Sequence, residues 1–152
     1  MKTWAFMLAS LISVSVNAQS FMAAEGAYEG TGKYRTEDGD TGNYGITVQF
    51  AKKRVGQKDV LAMTSKSNDR GRSTGWEIYF ADDRNGFFKV LDTNLKQIGE
   101  GYCLDYQCNF NVSSLFTYTQ ETFSFMGPHM YVLGMRSQAG KKSMWQEVLQ
   151  RK

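Results

Sequence analysis

Histidine, cysteine and proline are nearly missing from this chain, and each shortage closes off a class of chemistry. One histidine, His129, in 152 residues removes any mechanism that needs a second imidazole. Two cysteines and that one histidine, in different surroundings, are not expected to assemble a structural zinc site. A serine–histidine–acid set would have to be built around His129 from any of many serines, and no nucleophile elbow of the Gly-x-Ser-x-Gly kind is expected. No glycine-rich loop leads into a helix, so no phosphate cradle is visible. Neither metal nor cofactor is expected, and a catalytic role is not the favoured reading.

Charge of either sign is also short of what a dedicated polyanion binder carries. The formal net charge is +3 and falls to +2 without Lys2. That near balance argues against nucleic acid as the partner.

The one long apolar run is at the start. Lys2 is the sole charge before Glu25, Trp4 to Val16 is apolar, and Val16-Asn17-Ala18 puts small residues at the −3 and −1 positions of a cleavage site. Residues 1–18 therefore read as a cleavable signal peptide, too short to span a bilayer, and 19–152 as one domain. No cysteine stands at the cleavage point, so a lipid anchor is not expected. The chain is expected to be secreted or periplasmic, and no transmembrane segment is expected after the leader. In an oxidising compartment Cys103 and Cys108 are expected to pair as a hairpin staple worth about 2 kcal/mol, since Cys-x4-Cys is not the spacing of a reactive redox pair. The short, Lys-led leader has a bacterial look, which makes the glycosylation sequon Asn111-Val112-Ser113 a chance match.

What is abundant is Tyr, Phe, Thr, Val and Gly in segments of alternating polarity, cut by Gly, Asn and Asp clusters. No sustained helical period follows residue 25, and only Gln19 to Ala24 suggests a helical turn. Strands are expected at 26–35, 42–51, 59–66, 73–81, 87–92, 96–103, 108–113, 116–125, 130–135 and 143–150. Tyr44, Ile46, Val48 and Phe50 share one face of the second, and Trp76, Ile78 and Phe80 one face of the fourth. Every connection is hairpin-sized. The fold expected is all-β: an antiparallel up-and-down meander of about eight to ten strands that closes on itself and removes its edges.

Three stretches carry a family resemblance: Gly26-Ala-Tyr-Glu-Gly-Thr-Gly-Lys-Tyr, Tyr44-Gly-Ile-Thr-Val-Gln-Phe and Met144-Trp-Gln-Glu-Val-Leu-Gln-Arg. In these the chain resembles the calycin-type barrels, meaning lipocalins, fatty-acid-binding proteins and short bacterial lipocalin-like domains. Tyr28 stands where lipocalins usually have the Trp of Gly-x-Trp. His129 falls late, as in haem-binding relatives, but in the turn-like Gly127-Pro128-His129, which points it to solvent rather than to iron. The resemblance implies a cavity for one small, largely apolar ligand, with Tyr44, Trp76, Ile78, Phe80, Tyr102, Tyr118, Trp145 and Glu147 as candidate binding residues. The other reading is a fully packed barrel that acts through its loops on a protein partner whose identity is unknown.

Three charged features complete the reading. Glu77, Glu100 and Glu147 fall mid-strand among apolar neighbours, and any that points inward needs a partner such as Arg136 or Lys89, or a polar ligand group. Glu37, Asp38 and Asp40 form an acidic turn without the spacing of a calcium loop. Lys52, Lys53, Arg54 and Lys58 bracket a turn that could face an anionic surface, although a solvated turn is the more usual explanation.

Overall fold

The structure is a computed structural model in which residues 24–82 and 86–152 are described; the expected leader, and the helical turn up to residue 23, lie outside them. Ten strands follow one another: β1 Gly26–Thr36, β2 Thr41–Val55, β3 Lys58–Asp69, β4 Arg72–Asp82, β5 Phe87–Leu91, β6 Gln97–Leu104, β7 Gln107–Ser113, β8 Thr117–Met126, β9 His129–Gln138 and β10 Lys141–Arg151. Each pairs antiparallel with its sequence neighbour, and β10 pairs with β1 to close the ring. The expected meander is the observed one. Closure leaves no row of unpaired backbone groups, which is how a sheet this long avoids edge-to-edge association.

The strands outrun their expected ends. Lys52, Lys53 and Arg54 lie within β2, and only Gly56-Gln57 turns the chain into β3. The charges in this ribbon are answered locally: Lys52 by Glu25 at 3.4 Å, Lys53 by Glu77 at 3.3 Å and Arg54 by Asp59 at 2.8 Å. The basic turn is thus not a bare cationic surface. Conversely, Phe116 sits in the β7–β8 turn rather than in a strand, 72% exposed.

Since hairpins alternate, the turns β1–β2, β3–β4, β5–β6, β7–β8 and β9–β10 gather at one end. The other four, with the start of β1 and the end of β10, gather at the opposite end. Two of the first set, Arg70-Gly71 and Ala139-Gly140, have positive φ at both central residues. This is the backbone twist that suits a two-residue hairpin, and glycine takes the second position at no steric cost.

The second end is filled. Inward-facing Tyr28, Phe50, Phe80, Phe88, Phe110 and Phe123 are all buried. Their rings meet largely edge to face, as in Phe80–Phe88 at 5.4 Å and Phe80–Phe110 at 5.3 Å, with Phe110–Phe123 stacked at 5.4 Å. These geometries suit the ring quadrupole. Cys103 and Cys108 stand opposite each other on β6 and β7, are buried in the same cluster and are joined as a disulfide, as expected. A separate small cluster, Val60, Ala62, Tyr79 and Leu91, lies on the outer side of β3 and β4. Leu91 reaches it because the register shifts between Val90 and Leu91, and a bulge turns successive side chains out of phase.

Candidate functional site

Above the phenylalanines the barrel is not filled. A cavity of about 890 Å³ opens between the β1–β2, β3–β4 and β9–β10 turns. Pockets that hold small molecules run from roughly 300 to 1,000 Å³. Its floor is apolar, made by Ile46, Val48, Met63 and Phe123.

Register explains how one wall comes to be polar. Glu147 on β10 pairs with Gly32 on one side and Val132 on the other, so it faces inward in phase with Trp145 and Leu149. Glu121 on β8 pairs with Gly134 on β9, in phase with inward Phe123 and Thr119. Gly134 in turn pairs with Trp145, and a Cβ at Gly134 would overlap the Trp145 indole. Gly32 stands likewise beneath the Tyr44 ring and Gly42 beneath that of Tyr34. Where inward glycines remove side chains, these rings fold down onto the sheet and leave space above it.

Both carboxyl groups are buried, Glu121 at 5% exposure and Glu147 at 7%. Tyr44 Oη donates to Glu147 Oε1 at 2.7 Å. Glu121 Oε2 has no hydrogen-bond partner among the described residues. Burial and the Glu147 charge push the Glu121 carboxyl up to about 8, against a downward pull from Arg136. Burial also raises Glu147, to about 7, opposed by the hydrogen bond from Tyr44. Burial and the Glu147 charge raise the Tyr44 phenol far above its ordinary range. Near neutral pH the two carboxyls thus hold protons that exposed glutamates would have lost. They titrate as a coupled pair.

Arg136 is nearer the mouth, donating to Thr119 Oγ1 at 3.4 Å with its guanidinium 5.9 Å from the Trp145 ring. At the rim, Arg70 donates to Asp40 and to the Thr41 carbonyl, both at 3.3 Å. The acidic turn is tied in the same way, Lys141 to Asp38 at 2.8 Å and the Lys142 amide to Glu37 at 3.1 Å. Among the described residues no group of three or more His, Cys, Asp or Glu could hold a metal ion.

Of the eight candidate residues, Tyr44, Trp76, Trp145 and Glu147 line the cavity. Ile78 and Phe80 face inward but are buried in the packed core. Tyr102 and Tyr118 are corrections: they are 47% and 42% exposed on the outside of the barrel. Their neighbours Cys103 and Thr119 are the buried, inward ones, and adjacent strand residues cannot share a face. With Phe87, Lys89 and Glu100 the two tyrosines flank a shallow outer depression of about 370 Å³. Glu77 is bonded to Lys53 and Glu100 is exposed, so only Glu147 of the three mid-strand glutamates is inward and buried. Its partner is Tyr44, not Arg136 or Lys89.

Glu121 escaped sequence reasoning, although Thr119-Gln-Glu-Thr-Phe-Ser-Phe places it in phase with Phe123 and Phe125. One further correction lies in the sequence itself. Gly71-Arg72-Ser73-Thr74-Gly75 does spell Gly-x-Ser-x-Gly. Here it runs from the β3–β4 turn into β4 with no helix following, and Ser73 is exposed. His129 begins β9 at the opposite end of the barrel, beside Tyr131 at 6.3 Å between ring centres. The pattern makes no nucleophile elbow.

Closed ring, meander order and open end together define a calycin-like barrel. Solved structures share this course. The S-type phycobiliprotein lyase CpeS of Guillardia theta aligns with a TM-score of 0.72 at 9% identity, over 87% of this chain and 90% of its own. Rv2717c of M. tuberculosis gives 0.61 at 14% identity, over 84% and 92%. A protein of unknown function from the DUF3598 family of Nostoc punctiforme gives 0.62 at 11% identity, over 84% of this chain and 47% of its own. No family model matches the sequence, and no curated protein does. At these identities the likeness is one of fold.

Proposed function

We propose that this protein is an exported binding barrel that takes one small molecule, with an apolar body and a polar end, into its open half. The observation that carries the reading is the cavity itself: about 890 Å³ of unfilled interior in a barrel whose other half is closely packed. The packed half shows that this chain can fill its interior with aromatic rings, and the open half does not. The floor of Ile46, Val48, Met63 and Phe123 suits an apolar body, and the indoles of Trp76 and Trp145 flank the way in. Export is part of this proposal, supported by the leader-like residues 1–18 and by a disulfide that persists in an oxidising compartment. The alternative, a module acting through its outside, has one observation in its favour. Tyr131, Leu133, Met135, Met144 and Val148 are exposed on the outer face of β9 and β10. A fully packed barrel, however, does not describe the open half.

The test is native mass spectrometry of protein purified from its own host without detergent. The expected result is a mature mass starting at Gln19 with a small-molecule adduct. A clean apo mass, with no quenching of tryptophan fluorescence by any member of an amphiphile panel, would overturn the binding reading.

A further inference from the structure

The apolar floor explains a carrier, but it does not explain two carboxyl groups buried in the wall above it. Burying a carboxylic acid without a full set of partners costs free energy, and evolution has a ready alternative in Gln, Leu or Met at each position. Tyr44 accounts for one oxygen of Glu147. Nothing among the described residues accounts for Glu121 Oε2, on a side chain 95% buried and lining the cavity. A hydrogen-bonding group on a molecule that enters the cavity can supply the missing partner.

Building on the ligand-barrel reading, we infer that Glu121 and Glu147 form the recognition point for a protonated amine or amidine-like group at the polar end of the ligand. The titratable and charged groups that face this point come from every neighbouring element: Tyr34 on β1, Asp40 in the β1–β2 turn, Tyr44 on β2, Arg136 on β9, and Asp69, Arg70 and Arg72 at the β3–β4 rim. Arg70 is engaged by Asp40, and Arg136 leans on the Trp145 ring without an ion pair to Glu121. With the carboxyls ionised, Asp40, Asp69, Glu121 and Glu147 face the three guanidiniums of Arg70, Arg72 and Arg136, which leaves room for one more positive charge. An ammonium supplies several N–H donors, enough to reach Glu121 Oε2 and share Glu147 with Tyr44.

The inference fixes a sign for pH. A cation needs the pair ionised, and the empty site holds its protons up to about 8 on Glu121 and about 7 on Glu147. Binding therefore releases protons and tightens as pH rises through that range.

The experiment is calorimetric titration of the full exported protein with octylamine, octan-1-ol and octanoate between pH 6 and 9. Octylamine is expected to bind tightest and to gain about tenfold or more in affinity across this range, with proton release seen as a buffer-dependent heat. Glu121→Gln, which keeps shape and removes charge, is expected to weaken octylamine about tenfold and leave octan-1-ol unchanged. The Glu121→Gln/Glu147→Gln double variant should bind octylamine with no pH dependence. Octan-1-ol binding in each variant reports that the barrel is folded. Equal affinity for all three probes, a pH-independent octylamine affinity, or octanoate as the best ligand overturns the cation inference and leaves the ligand barrel standing. Failure of all three probes to bind removes both.

Discussion

The two halves of this barrel are built from the same ten strands to opposite ends. In the half near the β6–β7 turn, inward positions carry phenylalanines, the disulfide and almost no polar atom. In the half near the β3–β4 turn, the inward positions of the same strands carry Glu121, Glu147, Ser65, Tyr44 and glycines. Strand β8 shows the change within five residues: Phe123 is packed, Glu121 is buried with an unpartnered oxygen, and Thr119 accepts from Arg136. Stability is thereby concentrated in one half, and the other is free to be polar, hollow and strained by desolvation. Local stability need not be uniform, and binding regions are drawn from its lower end.

The sharpest way to break this contrast is to cut matched aromatics from each half. Phe80→Ala should cost about 3–5 kcal/mol in urea unfolding, the usual price of an aromatic lost from a core. Trp145→Ala, at the half-buried rim of the hollow, should cost less than half as much while weakening ligand binding. Equal losses would show that the hollow half carries the fold after all.

Next in size is the pH profile. Both buried carboxyls have folded values above the ordinary glutamate range, so the folded state holds protons that the unfolded chain releases. Their contribution is intact at low pH and is lost as pH rises toward about 8, where the ionised groups stay buried. The free energy of urea unfolding should therefore fall by a few kcal/mol between pH 5 and pH 9, and the Glu121→Gln/Glu147→Gln variant should flatten the fall. A profile unchanged in that variant would place the pH sensitivity elsewhere.

The staple tests the packed half alone. Cys103→Ser/Cys108→Ser should lower stability by about 2 kcal/mol, since the closed loop is short, with ligand affinity unaltered. A change in affinity would mean that the halves are coupled. The smallest effect is expected outside both: Arg54→Ala removes an exposed ion pair with Asp59 and should shift stability by less than about 1 kcal/mol.

Much of this division was legible in the sequence. Alternation alone puts Tyr44, Ile46, Val48 and Phe50 on one face and keeps Trp76 with Phe80; closure follows from hairpin-length connections. Glu147 could be suspected because it keeps phase with Trp145 and Leu149. Tyr102 and Tyr118 are aromatic but run against the phase of Cys103 and Phe123, and they stand outside. Glu121 was readable by the rule that found Glu147. What no local pattern could show was that Gly134, thirteen residues later, would open the space in front of it, because that depends on a cross-strand register. Nor could composition tell which half is hollow: aromatics stand in both, and a glycine lies beneath the packed Phe88 ring as well as beneath Tyr34, Tyr44 and Trp145.

The described chain starts and finishes at the packed end, where Tyr28 pairs with Arg151 and the Lys152 amide donates to the Ala27 carbonyl at 2.9 Å. Any tether added after Lys152 consequently leaves from the base and not from the mouth. Immobilised on a sensor chip through a C-terminal tag, the barrel is held by its base and the attachment leaves its mouth clear. A fusion partner attached there would be carried like a handle, with the entrance left clear.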